Sequence, residues 1–310
     1  FKKTKKKNKK KPNDNTPTTP AITYSECYRQ YGINVLSLFD GISCGQIALE
    51  RAGTKVYNYF ASEIKPHAIK CVKENYPSTK HLGSVIDVKA IDLPKIDLLI
   101  GGSPCKGISR LNKNQEGLEH SESRLFWEYV RLLNETKPKY FLLENTHGNK
   151  EATNIISETL GVEPISINSK LVSAQNRPRY YWTNIPGVEQ PKDRGITTKD
   201  VFDYDGQIAD DCRVRWLTNE SGIKSIVKGY TRVNPFPKSG CLTANGHRKW
   251  NENYLLKDGV YRYLSKNELE KLQTLPIGYT SILNYDEAYD CIGDGWTVDI
   301  IAHILKYAVW

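Results

Sequence analysis

From residue 33 the chain alternates short apolar runs with stretches of helical periodicity: INVLSLF, CGQIALERAG, KVYNYFASE and KPHAIKCVKENY follow one another as strand, helix, strand, helix. That alternation predicts an α/β fold with a doubly wound, mostly parallel, Rossmann-like sheet. The run IDLLIGG is apolar without a break, which suits a strand covered on both faces. A helix is expected within SESRLFWEYVRLLNETK, ended by Pro138, then the strand YFLLEN, then a helix around EATNIISETLG, stopped by Gly161. EPISINSKLV and RYYWTN read as further strands, giving six or seven in all.

Between about Gly187 and Gly259 no period is sustained, and aromatics, Lys, Arg, Asn and Gly are mixed. This stretch, 187–259, is read as a separate, smaller irregular lobe. Periodicity resumes in SKNELEKLQTL, where Ser265 and Glu268 have capping-box spacing, and in DEAYDCIGDGWTVDIIAHILKYAVW, apolar enough to dock on a core. The main domain is therefore assigned to 25–186 plus 260–310. Residues 1–24, Lys-rich and then KPNDNTPTTP, are too polar and proline-rich to repay their ordering by burial, and are expected to be disordered.

The chain has 44 Lys and Arg against 35 Asp and Glu, a net charge of +9, but eight of the lysines lie within residues 1–12. Basicity is thus a property of the tail, either a solvated lysine run or an arm attracted to polyanions, and specificity falls to the folded body. No apolar run approaches the roughly 18 residues a membrane span needs. The seven cysteines (27, 44, 71, 105, 212, 241 and 291) are scattered without a Cys-x-x-Cys pair. Neither disulfides nor a metal site is read from them, and a reduced, intracellular setting is expected.

Strand VLSLF runs into Asp40-Gly41-Ile42-Ser43-Cys44-Gly45 and then a helix, with glycines where a ligand can approach the carboxyl end of the sheet. The turn lacks both a phosphate-binding Lys-Ser/Thr and dinucleotide spacing, so a nucleoside with little phosphate suits it better than ATP or NAD. Glu63 ends the second strand 22 residues past Gly41, placed to bond ribose hydroxyls, and Asp87 follows the third strand, placed to bond an adenine amine. Gly101-Gly102-Ser103-Pro104-Cys105 carries a thiol off the sheet edge on a stiff turn, as a nucleophile or as an ordinary loop cysteine. YFLLEN delivers Glu144 and Asn145 to the next strand end. A carboxyl there is either a partly desolvated acid or one satisfied by backbone amides. In Gln175-Asn176-Arg177-Pro178-Arg179 the two guanidinium groups share a face if the segment is extended, and suit phosphate or carbonyl oxygen.

In this order the segments SLFDGISCG, ASE at Glu63, VIDV at Asp87, GGSPC, LLEN, QNRPR, YRYLSKNELEKLQTLP and IGDGWTVDIIAHIL resemble the cytosine-5 methyltransferase family, over about residues 33–305. The resemblance implies an S-adenosylmethionine-dependent enzyme methylating carbon 5 of a flipped-out cytosine in double-stranded DNA and releasing S-adenosylhomocysteine. It assigns Cys105 as nucleophile at carbon 6 and Glu144 as the acid at ring nitrogen 3. Arg177 and Arg179 would bond the cytosine carbonyl, backbone phosphate or the Cys105 loop, and Asn145 would brace the acid's turn. The cofactor would be surrounded by Phe39, Asp40, Gly41, Gly45, Glu63, Ile64, Asp87, Val88, Pro104, Asp294 and Gly295, with no metal. DNA contacts would come from Gln175 and from Arg213, Arg215, Arg232, Lys238, Arg248 and Lys249 of the lobe, which becomes the target-recognition domain, with residues 106–120 as a mobile loop. Ser103 before Pro-Cys looks more like the de novo, phage and viral type than the tRNA-directed branch. Two positions depart from the family pattern: Asp294 stands where Asn is usual, and Thr146 where Val is usual. The same chemistry on tRNA, a catalytically silent DNA-binding relative and a nucleotide-binding oxidoreductase are the competing readings. The sequence leaves the oligomeric state open, with a monomer favoured, and the expected setting is cytoplasm or nucleoid for a bacterial or phage host and the nucleus for a eukaryotic one.

Overall fold

The computed structural model describes residues 31–104, 123–148, 150–204, 214–244 and 252–310. Apolar β-branched and Leu-rich segments form a seven-stranded sheet: β1 (Ile33–Leu38), β2 (Val56–Ser62), β3 (Lys80–Gly83), β4 (Leu98–Gly101), β5 (Tyr140–Thr146), β6 (Ile165–Asn168) and β7 (Pro178–Thr183). Their order is β3-β2-β1-β4-β5-β7-β6. Neighbours are parallel from β3 through β5, and β7 runs antiparallel to both β5 and β6. The order reverses between β1 and β4, which opens a crevice at their carboxyl ends.

The period-2 alternation of side chains explains why the central strands carry no polar face. On β1 and β4, Ile33, Val35, Leu98 and Ile100 enter one buried cluster, while Leu36, Leu38 and Leu99 enter the other. The first cluster is closed by α1 (Cys44–Ala52), α2 (Pro66–Asn75) and a C-terminal helix, the second by α3 (Ser123–Thr136) and α4 (Lys150–Leu160). α2 begins on Pro66 at the position where a missing N–H costs nothing, and Gly53 and Gly161, at φ +74° and +69°, end α1 and α4.

The chain then leaves the sheet through α5 (Thr198–Val201) and α6 (Glu220–Val227) and forms a small sheet of β8 (Arg232–Val233), β9 (Asn253–Lys257) and β10 (Val260–Arg262), ordered β10-β9-β8. A satellite core of Val214, Leu217 and Tyr254, lined by Trp216, Ile226, Tyr261 and Tyr263, holds it together. The β9–β10 hairpin crosses residue 259, and Val201 and Phe202 pack in the main core, so the lobe's own packing runs from about 214 to 263. The chain returns through α7 (Lys266–Leu272), α8 (Tyr285–Asp294) and α9 (Val298–Leu305). Ser265 and Glu268 form the expected capping box, and α9 lays Ile300, Ile301 and Ile304 into the first cluster. Among the described residues no helix is long and apolar enough to cross a membrane. The stretches 1–24 and 106–120 lie outside the described residues.

Candidate active site

Three strand ends frame the crevice. After β1 the backbone turns through Phe39 and Gly41, at φ +57° and +58°. Phe39 pays about 1 kcal/mol for that conformation, and the contacts of its neighbour hold it there. The Asp40 amide donates to Ser62 O at 3.1 Å, Tyr59 OH donates to Asp40 Oδ1 at 2.7 Å, and Ser43 Oγ bonds the other carboxyl oxygen. Burial pushes the Asp40 carboxyl up to about 6. A Cβ on Gly41 would meet nothing within 4 Å, so open space lies above the turn. The Gly41 amide donates to Glu63 Oε2 at 2.8 Å, and the amides of Ile64 and Lys65 donate to Glu63 Oε1 at 2.7 and 2.8 Å. A carboxylate has about four lone-pair sites, so the backbone fixes Glu63 while leaving one site on Oε2 for a hydroxyl. Ile64 stands 70% exposed beside it, and Asp87 is exposed on a short 3-10 turn whose neighbour Val88 is buried.

Sequence reasoning placed Gly45 at the cofactor, and the structure gives it another task. A Cβ there would come within 2.5 Å of Ile100 Cδ1 and 2.7 Å of Tyr59 OH, so this glycine lets α1 approach the sheet. Asp294 is exposed, and Lys65 Nζ meets its Oδ2 at 2.7 Å and Asp290 Oδ2 at 3.1 Å. Burial opposes the Lys65 charge, but the two carboxylates outweigh it and raise its pKa. The exposed Asp294 carboxylate is therefore paired with a lysine that it shares with Asp290.

The antiparallel register of β5 and β7 sets Glu144 opposite Tyr181 and Thr146 opposite Arg179. Glu144 and Arg179 are thus diagonal neighbours on one face, within reach of each other. Arg179 Nε meets Glu144 Oε1 at 2.9 Å, with both side chains nearly buried. Burial opposes the Arg179 charge, but Glu144 together with Cys241 and Tyr181 outweighs it and raises its pKa. The second carboxyl oxygen, Oε2, accepts from Trp296 Nε1 at 3.0 Å. Sequence reasoning missed Trp296: it lies 152 residues from Glu144, and no local signal connects them. Asn145 Nδ2 donates to Ser103 O and Oγ at 3.2 and 3.3 Å while its Oδ1 accepts from Thr146 N at 2.8 Å, so it braces both the Gly101–Pro104 turn and the acid's own strand end. Cys105, which follows that turn in sequence, lies outside the described residues.

Arg177 differs from its neighbour. It is 3% exposed, and its guanidinium donates to Leu242 O at 2.6 Å, Gly295 O at 2.9 Å and Gly293 O at 3.2 Å. Those bonds clamp the Leu242 segment ahead of β9 to the turn after α8, and leave Arg177 a brace rather than a substrate contact. Burial depresses its pKa, helped by the Arg179 charge. Gln175, expected to face DNA, is wholly buried, with Nε2 donating to Leu272 O and Gln273 Oε1 and Oε1 accepting from Leu242 N. Lys238 spends its ammonium on the carbonyls of Lys170, Ser173 and Ile196. Neither is available to a phosphate. Arg215 and Arg232 are exposed, the latter lying across Gly240, and Arg213, Arg248 and Lys249 lie outside the described residues.

Comparison with known proteins follows the same lines. The family described as C-5 cytosine-specific DNA methylase matches residues 33–185. Type II methyltransferase M1.ScrFI of Lactococcus lactis subsp. cremoris is 32% identical over 318 residues, covering 93% of this chain and 80% of that protein. Type II methyltransferase M.NgoBV of Neisseria gonorrhoeae is 34% identical over 173 residues, 49% of this chain and 41% of that protein. With M.NgoBV and similar relatives the match therefore spans only about two fifths of their length. Among solved structures, the Entamoeba histolytica methyltransferase EhMeth superposes with a TM-score of 0.75 at 16% identity, covering 90% of this chain and 98% of that one, a likeness of fold.

Proposed function

This chain belongs to the C-5 cytosine-specific DNA methylase family, and we propose that it methylates carbon 5 of cytosine in double-stranded DNA through a covalent adduct with Cys105. The observation that carries this reading is the Glu144–Arg179 pair at the end of β5, beside the braced Gly101–Pro104 turn that leads into Cys105.

The chemistry requires both a nucleophile and an acid, because an aromatic carbon 5 is too weak to take a methyl group unaided. Addition of the Cys105 thiolate to carbon 6, with a proton from Glu144 to ring nitrogen 3, converts the ring to an enamine with electron density at carbon 5. Arg179 holds Glu144 in place and is the guanidinium nearest the acid for a cytosine carbonyl. After methylation a base takes the carbon-5 proton, the thiolate leaves carbon 6, and nitrogen 3 returns its proton. The cytosine must leave the stack for the thiol to reach carbon 6. Sequence choice falls to the lobe, with Arg215 and Arg232 among its described exposed cations and Arg213, Arg248 and Lys249 as further candidates outside the described residues.

S-adenosylmethionine supplies an electrophilic sulfonium methyl when bound, and is left as S-adenosylhomocysteine. The residues present fit it. The open space over Gly41, the lone-pair site left on Glu63 and the exposed Ile64 suit a nucleoside. Phe39, Asp40, Asp87, Val88, Pro104, Asp294 and Gly295 would complete the pocket. The test is transfer of labelled methyl to mixed-sequence duplex DNA and, separately, to tRNA, by the native chain and by Cys105→Ala. Label in duplex cytosine that disappears in the variant is the expected result. Label in tRNA alone moves the substrate, and label in neither, with cofactor still bound, makes the chain a silent relative.

A further inference from the structure

We propose that Trp296 is a positioning residue for this methyl transfer: its indole N–H sets the orientation of the Glu144 carboxyl. The inference rests on the reaction put forward above. Glu144 reaches the crevice on a flexible side chain, and the Arg179 contact to Oε1 fixes one oxygen while leaving the carboxyl free to swing about it. The Trp296 contact to Oε2 removes that freedom. An indole nitrogen donates and never accepts, so the contact has a single polarity. With two of about four lone-pair sites so used, one site on each carboxyl oxygen remains for a proton.

The surroundings are built around this contact. Trp296 is 9% exposed, and the turn that carries it is tied down on both sides. Ahead of it, Gly295 O accepts from Arg177 Nη2 at 2.9 Å and Gln273 Nε2 at 3.0 Å; behind it, Thr297 Oγ1 bonds Gln273 Oε1 at 2.7 Å and Ser169 Oγ at 2.8 Å. Gly102 supplies an independent indication. A Cβ on it would lie 2.9 Å from Trp296 Nε1 and 3.1 Å from Glu144 Oε2. Gly102 does not adopt a left-handed backbone conformation. The space between strand end, indole and carboxyl is what requires glycine there.

The experiment compares the native chain with Trp296→Phe, which keeps the bulk and removes the donor, with Gly102→Ala, with Glu144→Gln, and with the Trp296→Phe/Glu144→Gln double variant. Trp296→Phe is expected to lower kcat about 10- to 100-fold, the range for losing a hydrogen bond to a charged group, with the KM for DNA and the Kd for S-adenosylmethionine within about threefold of native. Gly102→Ala is expected to lower kcat in the same manner. In the Glu144→Gln background the Trp296 substitution should change kcat by less than about threefold, because the group it acts through is already gone. A full loss that persists in that background, or a loss confined to cofactor binding, overturns the proposal. A second readout needs no activity. The indole resonance that Trp296→Phe deletes from the spectrum of the six tryptophans should shift in Glu144→Gln, and an unmoved resonance overturns the contact itself. If the native chain transfers no methyl, the reaction is what fails, and a shifted resonance still upholds the contact.

Discussion

Arg177 and Arg179 stand two positions apart on one extended face, and the structure gives them different environments. Arg179 is anchored to Glu144, whereas Arg177 donates to three backbone carbonyls inside the protein. Replacing Arg177 by Met strands those carbonyls, and we expect a loss of about 3 kcal/mol in stability, read as a fall in Tm of roughly 10 °C. Arg179→Met should lose most of its methyl transfer while its Tm stays within a few degrees of native. Equal destabilisation by the two substitutions would contradict the division. The spacing of the arginines places them on one face, but the burial of Arg177 depends on segments 65 and 118 residues away that sequence spacing does not report. Gln175 and Lys238 illustrate the same limit, as polar side chains in a basic context that are absorbed by carbonyls from distant segments.

At the level of the element, the strands and helices of the main domain were legible because each declares itself locally. β1, β4 and β5 are apolar on both faces, α2 opens on a proline, and α7 carries its capping box in four residues. The lobe was not legible in detail. Its strands are two, five and three residues long, and β8 pairs with β9 across some twenty residues, too little periodicity to detect and too long a gap to guess. Helix α1 shows how an element's packing reaches the site. Gly45→Ala would press on Tyr59 OH, which bonds Asp40 at the crevice floor. Overpacking offsets the alanine's better helix propensity, so we expect a net stability loss of only about 1 kcal/mol. Disturbing a hydrogen bond to a charged group should weaken S-adenosylmethionine binding about tenfold, measurable by equilibrium dialysis.

Across the whole molecule, the lobe and the main domain meet at a buried acid. Glu252 precedes β9, is 1% exposed, takes the Asn253 amide at 3.0 Å and lies beside Tyr289 of α8. Burial pushes its carboxyl up from 4.5 to about 7. The folded state therefore holds this proton more tightly than the unfolded chain. The corresponding stabilisation is complete below about pH 4.5 and is lost as pH rises through 7, a change of about 3 kcal/mol. Asp40, raised by burial to about 6, adds a slope of the same sign. Urea unfolding at pH 5 and pH 8 should show native stability falling more steeply than that of Glu252→Gln, which has no proton to lose at this position; parallel slopes would remove Glu252 from the account.

The route of the chain also sets an order in time. The crevice is framed by strands that a ribosome delivers early, yet two of the three carbonyls that Arg177 bonds, the indole that meets Glu144 and the helix that covers α1 all belong to residues 293–305. A nascent chain halted before Gly293 holds a buried cation without two of its acceptors and a carboxyl fixed at only one oxygen. The crevice is thus completed only when the α8–α9 turn has docked, and a chain cut short of it lacks these contacts.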